Sequence, residues 1–321
     1  MMAASELPPL IFVHVHYPDI WEEMARDIAS AVNVPFGLVL THCGQSTLAK
    51  PDTPYLVDYR EIVVQNRGRD VLPFLTALRG DLPPYDIGLK LHTKRSPHRD
   101  DGAEWRRFLT RSLLSRGGNG PGPMALQTLR TEPHLGLIAP EGHLLPLQGR
   151  LALNEKPMAA MLSALGIFMR TSELHEGRFA ASTMFWFRAE ALSPFSAAEL
   201  DPLFENEAAQ LDGTAAHAAE RLFVKVCESQ GFAASSMEAL PAIICAGDEQ
   251  RGMNTLDRDT LRNLTDAAIS TAANPFSLPM ADFWSRHRRL LRLAHLTYRR
   301  VPPPLWRAMR RLVRRYASRH A

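Results

Sequence analysis

The sequence predicts an α/β protein with a mostly parallel sheet flanked by helices. Two observations lead to this prediction: short apolar runs rich in β-branched residues alternate with helical patterns, and polar or basic residues follow the runs. At 321 residues and 45% hydrophobic content, the chain is long and apolar enough to bury a full core. We therefore expect a layered α/β domain with a ligand site at one edge of its sheet.

The elements follow in order along the chain. Apolar runs predict strands at residues 11–17, 36–40, 61–64, 86–91, 135–140 and 181–187. Helical spacing predicts helices after Asp19, which we expect as a cap, at 71–78, 104–114 and 215–228, and a further helix that begins at Ala189. This alternation indicates βα units.

Composition bears on location and redox state. The sequence has no apolar run of about 18 residues, and residues 1–10 lack the pattern of a secretory signal. Its cysteines, Cys43, Cys227 and Cys245, form no C-x-x-C pair, which argues against a disulfide framework or a zinc knot. We expect a cytoplasmic protein.

Charge divides the chain into an acidic body and a basic tail. From Arg286 onward there are twelve arginines and no acid, so the rest carries 25 Lys+Arg against 34 Asp+Glu. We expect an α/β domain over residues 1–250 and a helical extension over 251–321. Apolar residues repeat at helical spacing in the tail between Leu305 and Tyr316, which suits an anionic membrane surface at the inner face of the cytoplasmic membrane. No nucleic-acid motif accompanies this charge, so no nucleic-acid partner is expected.

The first basic motif follows the third predicted strand and reads Asn66-Arg67-Gly68-Arg69-Asp70. Gly68 permits a turn with positive φ, so that Arg67 and Arg69 can project around backbone N–H groups at a helix start, a setting that suits phosphate oxygens. The alternative is a helix start capped by Asp70 with two solvated arginines.

The second basic motif follows the fourth predicted strand and reads Lys90-Leu91-His92-Thr93-Lys94-Arg95-Ser96. Lys90, His92 and Lys94 alternate at strand spacing and so share a face. Thr93 adds a hydroxyl. Three cationic or titratable groups at the end of one strand favour an anion-binding site over a solvated edge.

These motifs form an ordered series with four others. The full series is His14-Val15-His16-Tyr17-Pro18, Asn66 to Asp70, Lys90 to Lys94, Trp105-Arg106, Met184-Phe185-Trp186-Phe187-Arg188 and Glu220-Arg221-Leu222-Phe223. Over roughly residues 10–245 it resembles the rhamnan synthesis protein F family of bacterial polysaccharide glycosyltransferases. One departure is that Ala181-Ser182-Thr183 stands where the family pattern leads us to expect a glycine.

The resemblance implies a fold similar to the GT-A glycosyltransferases. It also implies transfer of a sugar, typically rhamnose, from a nucleotide-activated donor to a lipid-linked or growing cell-surface glycan such as a rhamnan or O-antigen. Donor and acceptor glycan are then the expected partners. The expected donor-binding residues are Asn66, Arg67, Gly68, Arg69, Lys90, Thr93 and Lys94, and the expected sugar or acceptor contacts are His16, Trp105, Met184 and Trp186. An aromatic strand such as 185–187 is, alternatively, part of the core.

Many GT-A enzymes hold a divalent metal with an Asp-x-Asp at the end of the fourth strand, where this chain has Lys90-Leu91-His92. Arg and Lys donors can stabilise the charge of a nucleotide diphosphate leaving group instead of a metal. We therefore expect inverting transfer with no metal and no cofactor.

Inverting transfer also needs a general base to take the proton of the acceptor hydroxyl. The candidates are Glu220, Asp70 and His92. Glu220 has two alternatives, because it could pair with His217 one turn earlier or simply face solvent.

Two other functions remain open. His14-Val15-His16 at the end of the first strand is also how some metal-dependent hydrolases of barrel fold begin, with both imidazoles on one side. A non-catalytic protein that binds anions or membranes through its basic tail is the third interpretation.

Overall fold

The computed structural model describes residues 6–44, 48–95, 101–117, 120–151, 153–170, 172–206, 212–250 and 255–272, together with residues 287, 289, 290 and 293. The arginine-rich tail, on which the predicted membrane-binding helix falls, lies almost wholly outside these residues.

Seven strands form one mixed sheet in the order β3-β2-β1-β4-β8-β5-β9. Their bounds are β1 Leu10–Val15, β2 Phe36–His42, β3 Leu56–Val63, β4 Ile87–His92, β5 Leu135–Ala139, β8 Phe185–Arg188 and β9 Ala233–Ser236. All neighbouring pairs are parallel except those of β8, which lies antiparallel between β4 and β5. A small hairpin pairs β6 Leu144–Pro146 with β7 Arg178–Ala180. The predicted α/β class with a mostly parallel sheet is confirmed, and the arrangement is consistent with a GT-A-like fold.

Helices cover the sheet. They are α1 Pro18–Ala31, α2 Val71–Leu78, α3 Gly102–Leu114, α4 Met124–Thr131, α5 Glu155–Ala164, α6 Ser193–Ala197, α7 Ala215–Ser229, α8 Leu240–Gln250 and α9 Arg258–Thr271. Short 3₁₀ turns lie at Glu173–His175, Glu190–Leu192, Asp201–Leu203 and Met237–Ala239. None of the helices in the described part of the chain is both long enough and apolar enough to cross a membrane.

The central strands are buried on both faces. In β1, Leu10 and Phe12 join the core on one side of the sheet, while Ile11, Val13 and Val15 join the core on the other. Such continuous apolar runs are typical of parallel strands covered on both sides. This is why the sequence marks β1, β2 and β4 clearly.

Some boundaries differ from the predicted ones. The first helix begins at Pro18 after Tyr17, so Asp19 lies inside the helix and is not its cap. The third strand begins at Leu56 instead of residue 61, because the half-exposed edge strand has a mixed apolar and polar pattern. Beyond residue 250, α9 packs on the body, with Leu261 buried and Thr265 bonded to Ser235 at 2.8 Å.

The sheet order places a topological switch point between β1 and β4. The chain proceeds outward from β1 through β2 to β3, then returns to the other side of β1 as β4. Ligands in open α/β proteins bind beyond the carboxyl ends of the strands at such a point. Both basic motifs lie at this edge, since they follow β3 and β4.

Candidate functional site

The centre of the site is an ion pair between Asp70 and Lys90. Lys90 Nζ lies 2.5 Å from Asp70 Oδ2 and also donates to the carbonyl of Thr183 at 2.8 Å. The Lys90 side chain is 1% exposed. Asp70 precedes α2, but its carboxylate makes no helix-capping hydrogen bond. The capping alternative is therefore not what the structure shows, and Asp70 is directed to Lys90.

Thr183, just before β8, completes this centre. Its hydroxyl donates to Asp70 Oδ2 at 2.5 Å. Ser182 and Thr183 have positive φ values of 91° and 57°, and Arg69 beside Asp70 has 56°. These are the only non-glycine residues with positive φ in the described part of the chain. Because positive φ is unfavourable for a β-branched residue, the backbone around Asp70 is strained in the way often seen at functional sites.

The glycine that we expected before Met184 bears on this geometry. A positive φ is the conformation that glycine adopts without steric cost. This chain reaches it with Ser182 and Thr183 instead, and the Thr183 hydroxyl gains the contact with Asp70.

Burial and charge set the protonation of the centre. Burial alone would raise the pKa of Asp70, but the neighbouring His92, which carries a charge only in acid, the ammonium group of Lys90 and the hydrogen bonds from Lys90 and Thr183 hold it well below its usual range. Burial lowers the pKa of Lys90, and Asp70 opposes that change. Burial also lowers the pKa of His92 to about 3, so its imidazole is neutral at pH 7. Asp70 and His92 are consequently weak general bases here.

At the switch point, hydrogen bonds from Thr93 join the end of β4 to the end of β1. Thr93 N donates to the carbonyl of His14 at 3.0 Å, and the Thr93 hydroxyl accepts the backbone N–H groups of His16 and Tyr17. Thr93 is buried, and its hydroxyl thus orders the turn into α1. A small cavity of about 10 Å³, enough for one water molecule, lies at this edge, and the residues that line it include His14, Asp70 and Lys90.

Lys94 lies at the mouth of the site. Its Nζ lies 4.4 Å from the centre of the Trp105 ring, a cation–π contact. Trp105 is buried, and its indole nitrogen donates to His143 Nε2 at 2.7 Å. Burial lowers the pKa of Lys94, the charges of Glu220 and Asp70 raise it, and that of Arg69 lowers it. Trp105 therefore positions the ammonium group of Lys94.

Glu220 lies on α7 and contacts the loop before β8. Its Oε1 accepts the backbone N–H of Ser182 at 2.9 Å, and its Oε2 lies 3.6 Å from Arg221. His217 Nδ1 instead contacts the Thr214 hydroxyl, 2.8 Å away. The side chain of Glu220 is 22% exposed. Of the two candidate carboxylates, Glu220 is the more exposed, since the side chain of Asp70 is 15% exposed and is held by Lys90.

The first basic motif is divided between two roles. The guanidinium of Arg67 donates to the carbonyls of Asp201 and Phe204, whereas Asn66 and Arg69 are exposed. Gly68 has φ +67°, and a Cβ there would lie 2.5 Å from Leu72 and 2.6 Å from Phe204. Arg67 and Gly68 thus hold the turn against the body, and Arg69 is the arginine directed outward.

The structure places Met184 and Trp186 in the core. Both are fully buried, and the Trp186 indole donates to the carbonyl of Leu113 at 2.8 Å. Neither side chain is accessible to a sugar, so the expectation of a sugar contact is corrected in favour of the core alternative. The barrel on which the hydrolase interpretation relied is not found either, since the described strands form an open sheet.

Sequence reasoning missed Ser182, Thr183, Thr41 and Cys43. The sequence did contain a signal for Ser182 and Thr183, because they stand where a glycine was expected and therefore indicate an unusual backbone conformation. Thr41 and Cys43, at the end of β2, gave no pattern until the fold placed them beside His14.

The fold and the site together define a class: an α/β protein with an open mixed sheet and a charged, strained site at its topological switch point. The chain belongs to the family described as "Rhamnan synthesis protein F", which matches residues 5–232. The resemblance read from the motifs is thereby confirmed, and the family description connects the chain with rhamnan and polysaccharide synthesis.

Two relatives in Xanthomonas campestris pv. campestris, in strains B100 and ATCC 33913, each bear the name "Uncharacterized protein WxcX". Each is 33% identical over 240 residues, which is 71% of this chain and 32% of the relative. The chain thus matches about a third of the length of these relatives.

Proposed function

We propose that this protein is a glycosyltransferase. It transfers rhamnose, with inversion and without a divalent metal, from a nucleotide-activated donor to a lipid-linked or growing cell-surface polysaccharide of the rhamnan or O-antigen type. The observation that carries this proposal is the position of Arg69 and Lys94, one from each basic motif, beyond the carboxyl ends of β3 and β4 at the switch point. The two cations are close enough for the charge of Arg69 to lower the pKa of Lys94. A diphosphate between them would relieve this repulsion.

The inner cation, Lys90, has a different role in this proposal. Because it is buried against Asp70 and Thr183, it positions the loop before β8 and does not bind phosphate directly. Thr93 orders the adjoining turn. Asn66 and Arg69, being exposed, remain with Lys94 as the donor-contacting set, and Arg67 is left out because backbone carbonyls occupy its guanidinium.

The side chains at the end of β4 favour a reaction without a divalent metal. At the end of β4, where an Asp-x-Asp would supply oxygen ligands, the chain has Lys90-Leu91-His92, and the nearby carboxylate of Asp70 is engaged by Lys90. Lys94 and Arg69 instead supply positive charge to the departing diphosphate. No cofactor is required.

The chemical step assigns Glu220 as general base. The acceptor hydroxyl oxygen attacks the anomeric carbon as the bond from that carbon to the diphosphate oxygen breaks. The hydroxyl proton passes to Glu220, and the electron pair leaves with the nucleoside diphosphate. Glu220 suits this role because the Ser182 N–H holds one carboxylate oxygen in place while part of the side chain faces solvent.

The binding test is a calorimetric titration with deoxythymidine diphosphate rhamnose, with and without EDTA. We expect affinity that survives chelation and that falls about 10- to 100-fold in Lys94→Met, because a charge-assisted contact to phosphate is lost. Lys156→Met, at an exposed lysine on α5, is the matched control and should bind normally. Binding that requires a divalent metal would refute the role given to the cations.

The test of the base is Glu220→Gln. We expect kcat to fall by about 10²- to 10⁴-fold while donor affinity stays unchanged. Glu199→Gln, at an exposed carboxylate, serves as control and should retain activity. Equal kcat values for Glu220→Gln and wild type would assign the base elsewhere.

We also propose peripheral attachment to the inner face of the cytoplasmic membrane through the arginine-rich tail. The support is its sequence, with twelve arginines and no acid from Arg286 onward. Removal of residues 283–321 should abolish co-sedimentation with anionic vesicles, and neutral vesicles provide the control. Unchanged partitioning would contradict the proposal.

A further inference from the structure

A second group of reactive side chains lies beside the site, at the carboxyl ends of β1 and β2. One ring nitrogen of His14, one of His16 and the Sγ of Cys43 all lie within 4.8 Å of one another. His14 is buried, Cys43 half-buried and His16 exposed, and the thiol of Cys43 is free. The proposed transfer of rhamnose uses none of these three side chains.

The ligand types indicate which ion would bind. Imidazole nitrogen and thiolate sulfur are ligands of Zn²⁺, whereas Mg²⁺ prefers oxygen. Zinc bond lengths of about 2.0–2.3 Å in a tetrahedron place ligand atoms about 3.3–3.7 Å apart. Because the three atoms lie within 4.8 Å of one another, any approach that they need is at most about 1.5 Å, which rotation of the exposed His16 and the half-buried Cys43 side chains can supply.

The fold already orients the buried ligand. His14 Nδ1 lies 3.0 Å from the hydroxyl of Thr41 on the neighbouring strand, opposite His14 in the β1–β2 register. A hydrogen bond of this kind fixes the ring of a metal-bound histidine and leaves the other nitrogen, Nε2, for the ion. The backbone N–H of His16 is held by Thr93 at 2.8 Å, so both histidines stand on an ordered strand end.

We propose that His14, His16 and Cys43 form a zinc site. The thiol loses its proton to solvent as the zinc–sulfur bond forms. Three protein ligands leave a fourth position, on the exposed side of His16, for water or a hydroxyl oxygen. This ion differs from the metal of an Asp-x-Asp site, because nitrogen and sulfur hold it and no diphosphate oxygen is needed.

The test uses the full-length protein, kept reduced and stripped of metal. Zinc is titrated in competition with a chromophoric chelator. We expect one zinc per chain and a loss of affinity of about tenfold or more in Cys43→Ser and in His16→Ala. Both positions are at least partly exposed, so both variants should fold. Cys245→Ser and His134→Ala, at an exposed cysteine and an exposed histidine, are matched controls that should bind as wild type does.

Cobalt provides an independent signature. The Co²⁺-loaded wild type and Cys245→Ser should show a thiolate-to-cobalt charge-transfer band, and Cys43→Ser should lack it. Wild-type affinity in both ligand variants, absence of stoichiometric zinc binding, or a cobalt spectrum without the thiolate band would each overturn the proposal. Donor binding in EDTA is measured separately, so failure of the zinc site leaves the proposed transferase function untouched.

Discussion

Two aspartates in this protein, Asp70 and Asp212, are largely removed from solvent and are stabilised in different surroundings. The Asp70 site consists of Asp70, Lys90 and Thr183. The Asp212 cluster consists of Asp212, Asn154 and Arg221, with Asp212 accepting from Asn154 Nδ2 at 2.7 Å and lying 3.7 Å from Arg221. In both, burial by itself would raise the pKa of the aspartate, and nearby cations and hydrogen bonds lower it instead.

The difference lies in the backbone and in the position on the sheet. Beside Asp212 the residue with positive φ is Gly213, and a Cβ there would lie 2.9 Å from Leu153. Beside Asp70 the strained residues are Arg69, Ser182 and Thr183, none of them glycine. A buried, charged aspartate therefore does not by itself indicate a functional site, whereas backbone strain at a topological switch point does.

The largest expected effect is that of Asp70→Asn. Loss of the carboxylate leaves the Lys90 ammonium buried without its counterion, so we expect a loss of about 3–5 kcal/mol in the free energy of unfolding. Donor affinity should fall as well, because the loop before β8 loses its anchor. Urea denaturation and donor titration measure the two effects. A stable variant with normal affinity would remove the distinction between the two aspartates.

Asp212→Asn should lower the free energy of unfolding by less than Asp70→Asn does, by about 1–3 kcal/mol. Arg221 keeps the carbonyls of Arg150 and His217 as acceptors, at 3.0 and 2.9 Å, so its charge is not left without partners. Donor affinity should equal that of wild type. Urea denaturation and calorimetric titration measure both quantities. Weakened donor binding would show that the Asp212 cluster contributes to the donor site.

Lowering the pH should reduce the difference in the free energy of unfolding between wild type and Asp70→Asn. The folded-state pKa of Asp70 lies below its ordinary value of 3.8, so its contribution to stability is complete above that pH and declines as the pH falls. Each pH unit below about 3.8 should narrow the gap in unfolding free energy by about 1.4 kcal/mol. Denaturation curves at pH 7, 5, 4 and 3 test this, and a gap independent of pH would contradict an ionised Asp70.

The smallest expected effect is that of Ser182→Gly. Glycine adopts positive φ freely, and the substitution removes a buried hydroxyl that has no hydrogen-bond partner in the described structure. After the greater chain entropy of glycine in the unfolded state is subtracted, we expect a gain of about 1 kcal/mol. Thermal and urea unfolding measure it. A destabilised variant would show that the serine conformation is not strained.

The sequence predicted the sheet class, the helix at 71–78 and the edge at which both basic motifs lie, because hydrophobic periodicity is a local pattern and the carboxyl ends of parallel strands meet at one edge of a sheet. It did not predict which cations face inward. Arg67 is engaged by Phe204, 137 residues later, and no local pattern reveals that pairing. The roles of Trp186 and Thr183 depended in the same way on packing and on φ, neither of which composition specifies.

The reversed direction of β8 has a consequence for folding. The strand inserts between β4 and β5 and carries Thr183 to Asp70, a residue 113 positions earlier. Such long-range closure forms slowly compared with local contacts. A nascent chain that has emerged only as far as β5 already contains both basic motifs, yet it lacks the strand that brings Thr183 to Asp70. Assembly of the Asp70 site is thus a late event in the synthesis of the chain, because it waits for β8, and Glu220 on α7 follows later still.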